Sequence, residues 1–75
     1  MTPVDMVFRY AGAPTERAMR AIDSIREVYG IRRIAFDQKE RTVRVEFDAS
    51  RLTQDIVAGL LRQAGLDLRE KLTLA

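Results

Sequence analysis

The chain of 75 residues contains no cysteine and no histidine, and it also lacks tryptophan and asparagine. It therefore has no thiolate or imidazole for nucleophilic or acid–base catalysis, no disulfide, and no zinc site of the Cys/His type. Ser24 and Ser50 are hydroxyl nucleophile candidates, but neither has a recognisable base partner in the sequence. We predict that the chain is not an enzyme and holds no cofactor.

The chain also lacks a large excess of either sign of charge. Lys and Arg number 13 against 11 Asp and Glu, which leaves a formal net charge of +2, and Lys39 and Lys71 are the only lysines. Mixed charges of this kind are typical of a solvated surface and do not by themselves indicate nucleic acid. The length fits a single domain over residues 1–75 whose apolar core must supply its stability.

Long apolar runs are absent as well. No stretch is long enough to span a membrane, and the first residues lack the basic and apolar regions of a signal peptide. We expect a cytoplasmic protein without a membrane segment.

Two periodicities organise the chain. Apolar residues alternate over 4–10, 31–37, 42–48 and 68–74, which predicts strands, and recur at helical spacing over 15–29 and 53–65. Pro14 suits the first turn of the first helix, and Gly30 and Gly65 suit helix ends. Thr53 is the predicted N-cap of the second helix, with Asp55 in its first turn. The residues predicted to face inward include Val4, Met6, Phe8, Tyr10, Ile22, Ile25, Tyr29, Ile34, Phe36, Val43, Val45, Phe47, Ile56, Leu60, Leu61, Ala64, Leu72 and Leu74.

The predicted order is β-α-β-β-α-β, with residues 38–41 as the turn of a hairpin. This is the ferredoxin-like arrangement of the α+β class. It gives one four-stranded antiparallel sheet with both helices on one face and the other face open to solvent.

Three segments together resemble a known family. They are 30–36 (GIRRIAF), 43–48 (VRVEFD) and 56–65 (IVAGLLRQAG). In order and separation they are similar to the G-V-x-x-V-x-V, V-x-V-x-F-D and I-x-x-A-I-x-x-A-G signatures of heavy-metal-associated domains. These domains are metallochaperones and N-terminal modules of metal-pumping P-type ATPases, and the resemblance covers nearly the whole chain.

The family's metal motif, G-M-x-C-x-x-C, has no cysteine counterpart here. Counting from the first strand puts Thr15 and Ala18 at the two cysteine positions, and counting back from Gly30 puts Pro14 and Arg17 there. Neither alignment supplies a soft ligand for Cu(I) or Zn(II). The resemblance thus implies a degenerate metal loop that consists of Gly12, Ala13, Pro14, Thr15, Glu16, Arg17 and Ala18.

Other ligands could serve a metal, and this alternative stays open. Met6 falls on the inward face of a strand, which favours core packing, and Met19 alone does not make a site. Carboxylates are present at Glu16, Asp37, Glu40 and Asp48, but without a calcium-loop spacing.

Anions and nucleic acid are further alternatives. The free N–H groups at the start of the first helix, beside Arg17 and Arg20, could accept an anion, although an ordinary capped terminus is the simpler interpretation. RNA-recognition modules share this topology, but they stack bases on aromatic residues of the open sheet face. Here the strand aromatics are all predicted to point inward, so binding of nucleic acid is disfavoured.

We predict a non-catalytic module for protein docking or regulation, with a degenerate heavy-metal-associated fold. Its partner, by resemblance, would be a metal-transport ATPase or the module's own parent chain. The predicted docking surface comprises Gly12, Pro14, Arg17, Arg20 and Leu66. Metal handling through carboxylates or through ligands from a second chain is the alternative function, and homodimerisation through the sheet is a third possibility.

Overall fold

A computed structural model describes residues 2–74, and side-chain burial over residues 2–72. The elements are β1 Pro3–Ala11, α1 Glu16–Ile25, β2 Ile31–Asp37, β3 Thr42–Asp48, α2 Gln54–Ala64 and β4 Asp67–Leu74. The four strands form one sheet in the order β2-β3-β1-β4, and every neighbouring pair is antiparallel. The predicted ferredoxin-like fold is confirmed. Among residues 2–74 there is no helix long and apolar enough to cross a membrane.

The core lies between one face of the sheet and the two helices. β1 and β3 are the central strands, and their alternate residues are buried because successive side chains in a strand point to opposite faces. The buried cluster comprises Met6, Phe8, Tyr10, Ile22, Ile25, Ile34, Val43, Val45, Phe47, Val57, Ala58, Leu61 and Leu66.

The first helix ends earlier than its periodicity predicted. It stops at Ile25 instead of Tyr29, because Glu27 N–H donates to Ser24 O and Val28 N–H to Ile25 O in tighter turns. The prediction that Tyr29 faces inward is wrong: its side chain is 72% exposed. Its ring instead stacks against the guanidinium of Arg51, 4.3 Å from the ring centroid.

Three smaller predictions also needed correction. Pro14 precedes the N-cap Thr15 and so lies outside the first turn of α1. Ile56 is 50% exposed, since α2 turns the stripe of Val57, Ala58 and Leu61 toward the core. Leu72 is 40% exposed, because the pairing of β1 with β4 shifts register there. The side chain of Leu74 lies outside the described residues.

The second helix has the predicted signals at both ends. Thr53 Oγ1 accepts from Ile56 N–H at 3.2 Å, and Gly65 has φ of +112°. Gly65 N–H donates to Arg62 O and Leu66 N–H donates to Leu61 O, the bond pattern of a Schellman motif. A Cβ at Gly65 would lie 3.3 Å from the Cβ of Ala18, so glycine also permits the close approach of α1.

Asp48 organises the loop after β3. Its Oδ1 accepts from Thr2 N–H at 3.0 Å, Ser50 N–H at 3.0 Å and Ser50 Oγ–H at 2.7 Å. The hydroxyl of Ser50, followed by the two backbone N–H groups, lowers the pKa of Asp48 from its usual 3.8 to about 2.

We expect Gly65→Ala to destabilise the chain by about 1 kcal/mol or more, because alanine must hold a positive φ and crowd Ala18. Gly59 is the matched control, since it lies inside α2 with open space around its Cα. Gly59→Ala should instead stabilise by about 0.5–1 kcal/mol. Urea unfolding of both variants measures the two changes, and equal effects would contradict the assignment.

We expect the stability that Asp48 contributes to depend on pH. The folded pKa lies below the unfolded pKa, so this contribution is complete above about pH 3.8 and is lost as the pH falls through about 2. The difference in Tm between wild type and Asp48→Asn should therefore be constant from neutral pH to about 5 and shrink at lower pH. A difference that does not change down to pH 2 would contradict this.

Candidate functional site

The loop between β1 and α1 is the segment that the sequence resemblance predicted to be a degenerate metal loop. It runs from Ala11, the last residue of β1, to Thr15, the N-cap of α1. Gly12 takes φ of +72° with open space around its Cα, a conformation that turns the chain out of the sheet and that favours glycine. Residues 12, 13 and 15–17 are exposed and Pro14 is half-buried. The loop is therefore accessible.

Thr15 caps the helix from within the chain. Its Oγ1 accepts from Ala18 N–H at 3.0 Å, and its carbonyl accepts from Met19 N–H at 3.0 Å. The interpretation of this end as an ordinary capped terminus is confirmed, because the side-chain cap occupies an N–H group that an anion would otherwise use.

The charges beside the loop differ in their partners. Glu16 and Arg20 form an exposed ion pair of 2.7 Å one helical turn apart. Such a pair adds little stability, but its guanidinium places positive charge beside Glu16, which disfavours a cation there. Arg17 is exposed and makes no ion pair within the described part of the chain.

The two possible alignments of the missing cysteines place the second cysteine in different surroundings. Ala18 is 2% exposed and packs against Gly65, whereas Arg17 faces solvent. The hydrogen bond between Thr15 and Ala18 brings positions 15 and 18 together across the first turn. No corresponding bond joins Pro14 and Arg17 among the described residues.

Leu66 does not belong to an exposed surface, and its prediction as a docking residue is wrong. It is 5% exposed and is part of the core cluster with Leu61. The physical reason is the Schellman motif at the end of α2, in which the residue after the glycine commonly makes an apolar contact with the last turn. The sequence pair Gly65-Leu66 carried this signal.

A groove that the sequence did not predict lies beside the loop. Its volume is about 310 Å³, and it separates the loop from the β2–β3 turn. Tyr10 and Phe36 pack edge to face in its wall, with ring centroids 5.9 Å apart. Its lining comprises Tyr10, Gly12, Ala13, Pro14, Met19, Phe36, Gln38 and Arg41. Gln38 and Arg41 reach it only because the antiparallel sheet brings the hairpin turn to the same end as the loop.

Donors for a metal are dispersed through the described residues. No group of three Asp, Glu, His or Cys side chains converges anywhere in residues 2–74. Met6 is 1% exposed in the core, as predicted, and Met19 is half-buried at the groove. Asp37 accepts from the backbone N–H of Glu40, which ties that carboxylate to the hairpin turn. The residues present do not fit a soft metal ion.

The open face of the sheet, opposite the helices, carries no stacking platform. Phe8, Tyr10 and Phe47 are at most 5% exposed and Phe36 packs against the core, so the prediction that the strand aromatics point inward is confirmed. A single-stranded nucleic acid would find charged side chains there but, among the strand residues whose burial is described, no exposed aromatic ring on which a base could stack.

Comparison with known proteins places the fold. No family model matches the chain, and no curated protein matches it either. Among solved structures, the apo form of CopP from Helicobacter pylori is 26% identical with a TM-score of 0.70, over 87% of this chain and 98% of CopP. The copper transporter domain Ccc2a of yeast, solved in apo and Cu(I)-loaded states, is 17% identical with a TM-score of 0.71. That match covers 93% of this chain and 96% of the yeast domain.

The two matches run over nearly the whole length of both solved domains. They agree with the resemblance that the three sequence segments indicated, and they show that it extends to the backbone. Neither alignment of the lost motif supplies a cysteine, since one places Thr15 and Ala18 at the two positions and the other places Pro14 and Arg17 there. The chain thus resembles a heavy-metal-associated domain in fold and sequence pattern and lacks the CxxC motif of that family.

Proposed function

We propose that the chain is a non-catalytic docking or regulatory module, one domain over residues 1–75, in which the metal loop has become a contact surface. The observation that supports this proposal is that Thr15, in the loop that resembles the family's metal loop, caps α1 from within the chain. Thr15 binds the backbone of Ala18, so the loop keeps its place at the start of α1 without a metal ion.

The loop surface, defined as Gly12, Pro14, Arg17 and Arg20, is the proposed contact region, with the neighbouring groove as a pocket. Two cations at this end, Arg17 and Arg41, make no ion pair within the described residues. The groove offers the apolar Met19 and Pro14 close to Arg41. This chemistry suits a partner that presents an apolar side chain next to a carboxylate.

A metal-transport system is the proposed context. The support is the similarity to a copper transporter domain together with the sequence signatures of metal-pumping ATPases. A domain of such an ATPase, or another part of the module's own parent chain, is the proposed partner, in the cytoplasm.

Atypical metal binding is the second candidate. It would need carboxylates or ligands from a second chain, since no three Asp, Glu, His or Cys side chains converge within residues 2–74. This dispersal of donors makes the docking proposal the better supported of the two.

We expect the chelator-treated chain to bind neither Cu(I), Zn(II) nor Co(II) stoichiometrically at submicromolar concentration, because it lacks soft donors. Competition titration measures this. Submicromolar 1:1 binding by the monomer would contradict the docking proposal in favour of atypical metal handling.

Two double variants are matched controls for that titration. We expect Thr15→Cys with Ala18→Cys to gain submicromolar Cu(I) binding, since residues three apart at the start of a helix lie side by side and a helix N-terminus favours thiolates. Pro14→Cys with Arg17→Cys should bind more weakly. If neither variant gains Cu(I) binding, the loop has not kept the geometry of a metal site.

We expect the isotope-labelled chain, titrated with purified soluble domains of metal-pumping ATPases, to show NMR shift changes concentrated at residues 12–20 and 38–41. Arg17→Glu should weaken binding up to about tenfold, mostly through slower association, as for a charge at the rim of an interface. Arg51→Glu, at the opposite end of the molecule, is the charge-matched control and should leave binding unchanged. Equal weakening by both variants would contradict a contact at the loop surface.

A further inference from the structure

The open face of the sheet carries an ordered pattern of charge. Strand pairing aligns nine of its side chains in three rows across β2, β3 and β1. The rows are Arg33–Glu46–Asp5, Ala35–Arg44–Val7 and Asp37–Thr42–Arg9. All of these residues except Arg9 line one shallow depression of about 430 Å³, which Phe36 also borders.

The order of charge is reversed between the two outer strands of this pattern. Along β1 an acid, an apolar residue and a base follow one another at alternate positions, namely Asp5, Val7 and Arg9. Along β2, which runs parallel to β1 because both are antiparallel to β3, the order is base, apolar residue and acid. On each outer strand, the residue in the first row and the residue in the third row therefore have opposite charges.

This pattern is self-complementary about one axis. A two-fold axis that lies in the plane of the face, along the middle row and perpendicular to the strands, places the first row of one copy over the third row of another. Asp5 then faces Arg9 of the other copy, and Arg33 faces Asp37 of the other copy. Val7 and the small Ala35 lie on the axis and face their own counterparts. Two aligned sheets packed in this way form an isologous contact.

We propose that the open face binds the open face of a second copy of this chain, as a symmetric dimer held by four ion pairs across the two-fold axis. The inference is independent of the docking proposal, because the loop surface and the nine residues of the open face have no member in common. The proposal thus places a second copy of this chain on the open face. That face is mostly charged, and its middle row is partly apolar.

Size and one like-charge contact make the dimer weak. With strands about 4.8 Å apart and a rise of about 3.3 Å per residue, the three-strand pattern covers roughly 300 Å² per copy, well below the standard of about 800 Å². Arg44 lies on the axis, so two guanidinium groups approach each other, and Glu46 of the other copy is the nearest acid in the adjacent row. We expect a dissociation constant of about 10 µM to 1 mM for the dimer, with tighter binding at low salt.

Analytical ultracentrifugation of the purified chain tests the proposal. The wild type should dimerise at low ionic strength, and at about 0.5 M salt the dissociation constant should rise at least tenfold because screening weakens exposed ion pairs. Asp5→Arg sets two bases against each other, and Arg9→Asp sets two acids against each other. Each single variant should weaken dimerisation at least tenfold, while Lys39→Glu on the hairpin turn, outside the face, should leave it unchanged.

Exchanging the charges at positions 5 and 9 distinguishes a lost ion pair from a loss of folding. An equimolar mixture of Asp5→Arg and Arg9→Asp should form a heterodimer, because each altered position then meets an opposite charge. The double variant Asp5→Arg, Arg9→Asp should regain homodimerisation. The Arg9→Asp change also removes the ion pair that Arg9 forms with Glu70 at 2.9 Å within one copy. The double variant lacks this pair too, so its recovered dimerisation would show that loss of the Glu70 pair does not cause the weakening. A wild type that stays monomeric up to millimolar concentration, or a mixture that associates no better than the single variants, would overturn the proposal.

Discussion

Burial of one sheet face beneath two helices is the interaction on which the rest of this structure depends. Met6, Phe8, Val43, Val45 and Phe47, from the two central strands, are each at most 5% exposed. Burying one such side chain contributes about 1.5–3 kcal/mol, and a chain without cysteine or histidine has no disulfide or Cys/His zinc site to add to this. Because strand side chains alternate, the same pattern places the intervening residues on the opposite face, where they meet water.

The helix ends explain how a domain of this type can keep its fold without a metal ion. Gly65 lets α2 end against Ala18, and Leu66 anchors that end in the core. Thr15 satisfies the start of α1 with its own hydroxyl. The exposed residues between Gly12 and Arg17 contribute nothing to the core cluster, so the fold does not depend on a metal ligand in this loop.

Two surfaces of the molecule carry the two proposals. The loop end combines Arg17 and Arg41, which make no ion pair within residues 2–74, with a groove that Met19 and Pro14 line. The open face has a charge order that is complementary to itself. The two surfaces are neighbours, because Phe36 borders both the groove and the depression on the open face.

The sequence by itself determined the element order, the central core, the caps at Thr53 and Gly65, and the absence of thiolate and imidazole chemistry. These depend on local periodicity and residue type, which are properties of neighbouring positions. Only the tertiary structure decided that Leu66 is buried, that Tyr29 and Ile56 are exposed, and that Gln38 and Arg41 border the loop. It also aligned Asp5 with Glu46 and Arg33 in one row. Helix rotation, strand register and the meeting of distant turns depend on contacts between residues far apart in the chain, and periodicity along one segment does not contain them.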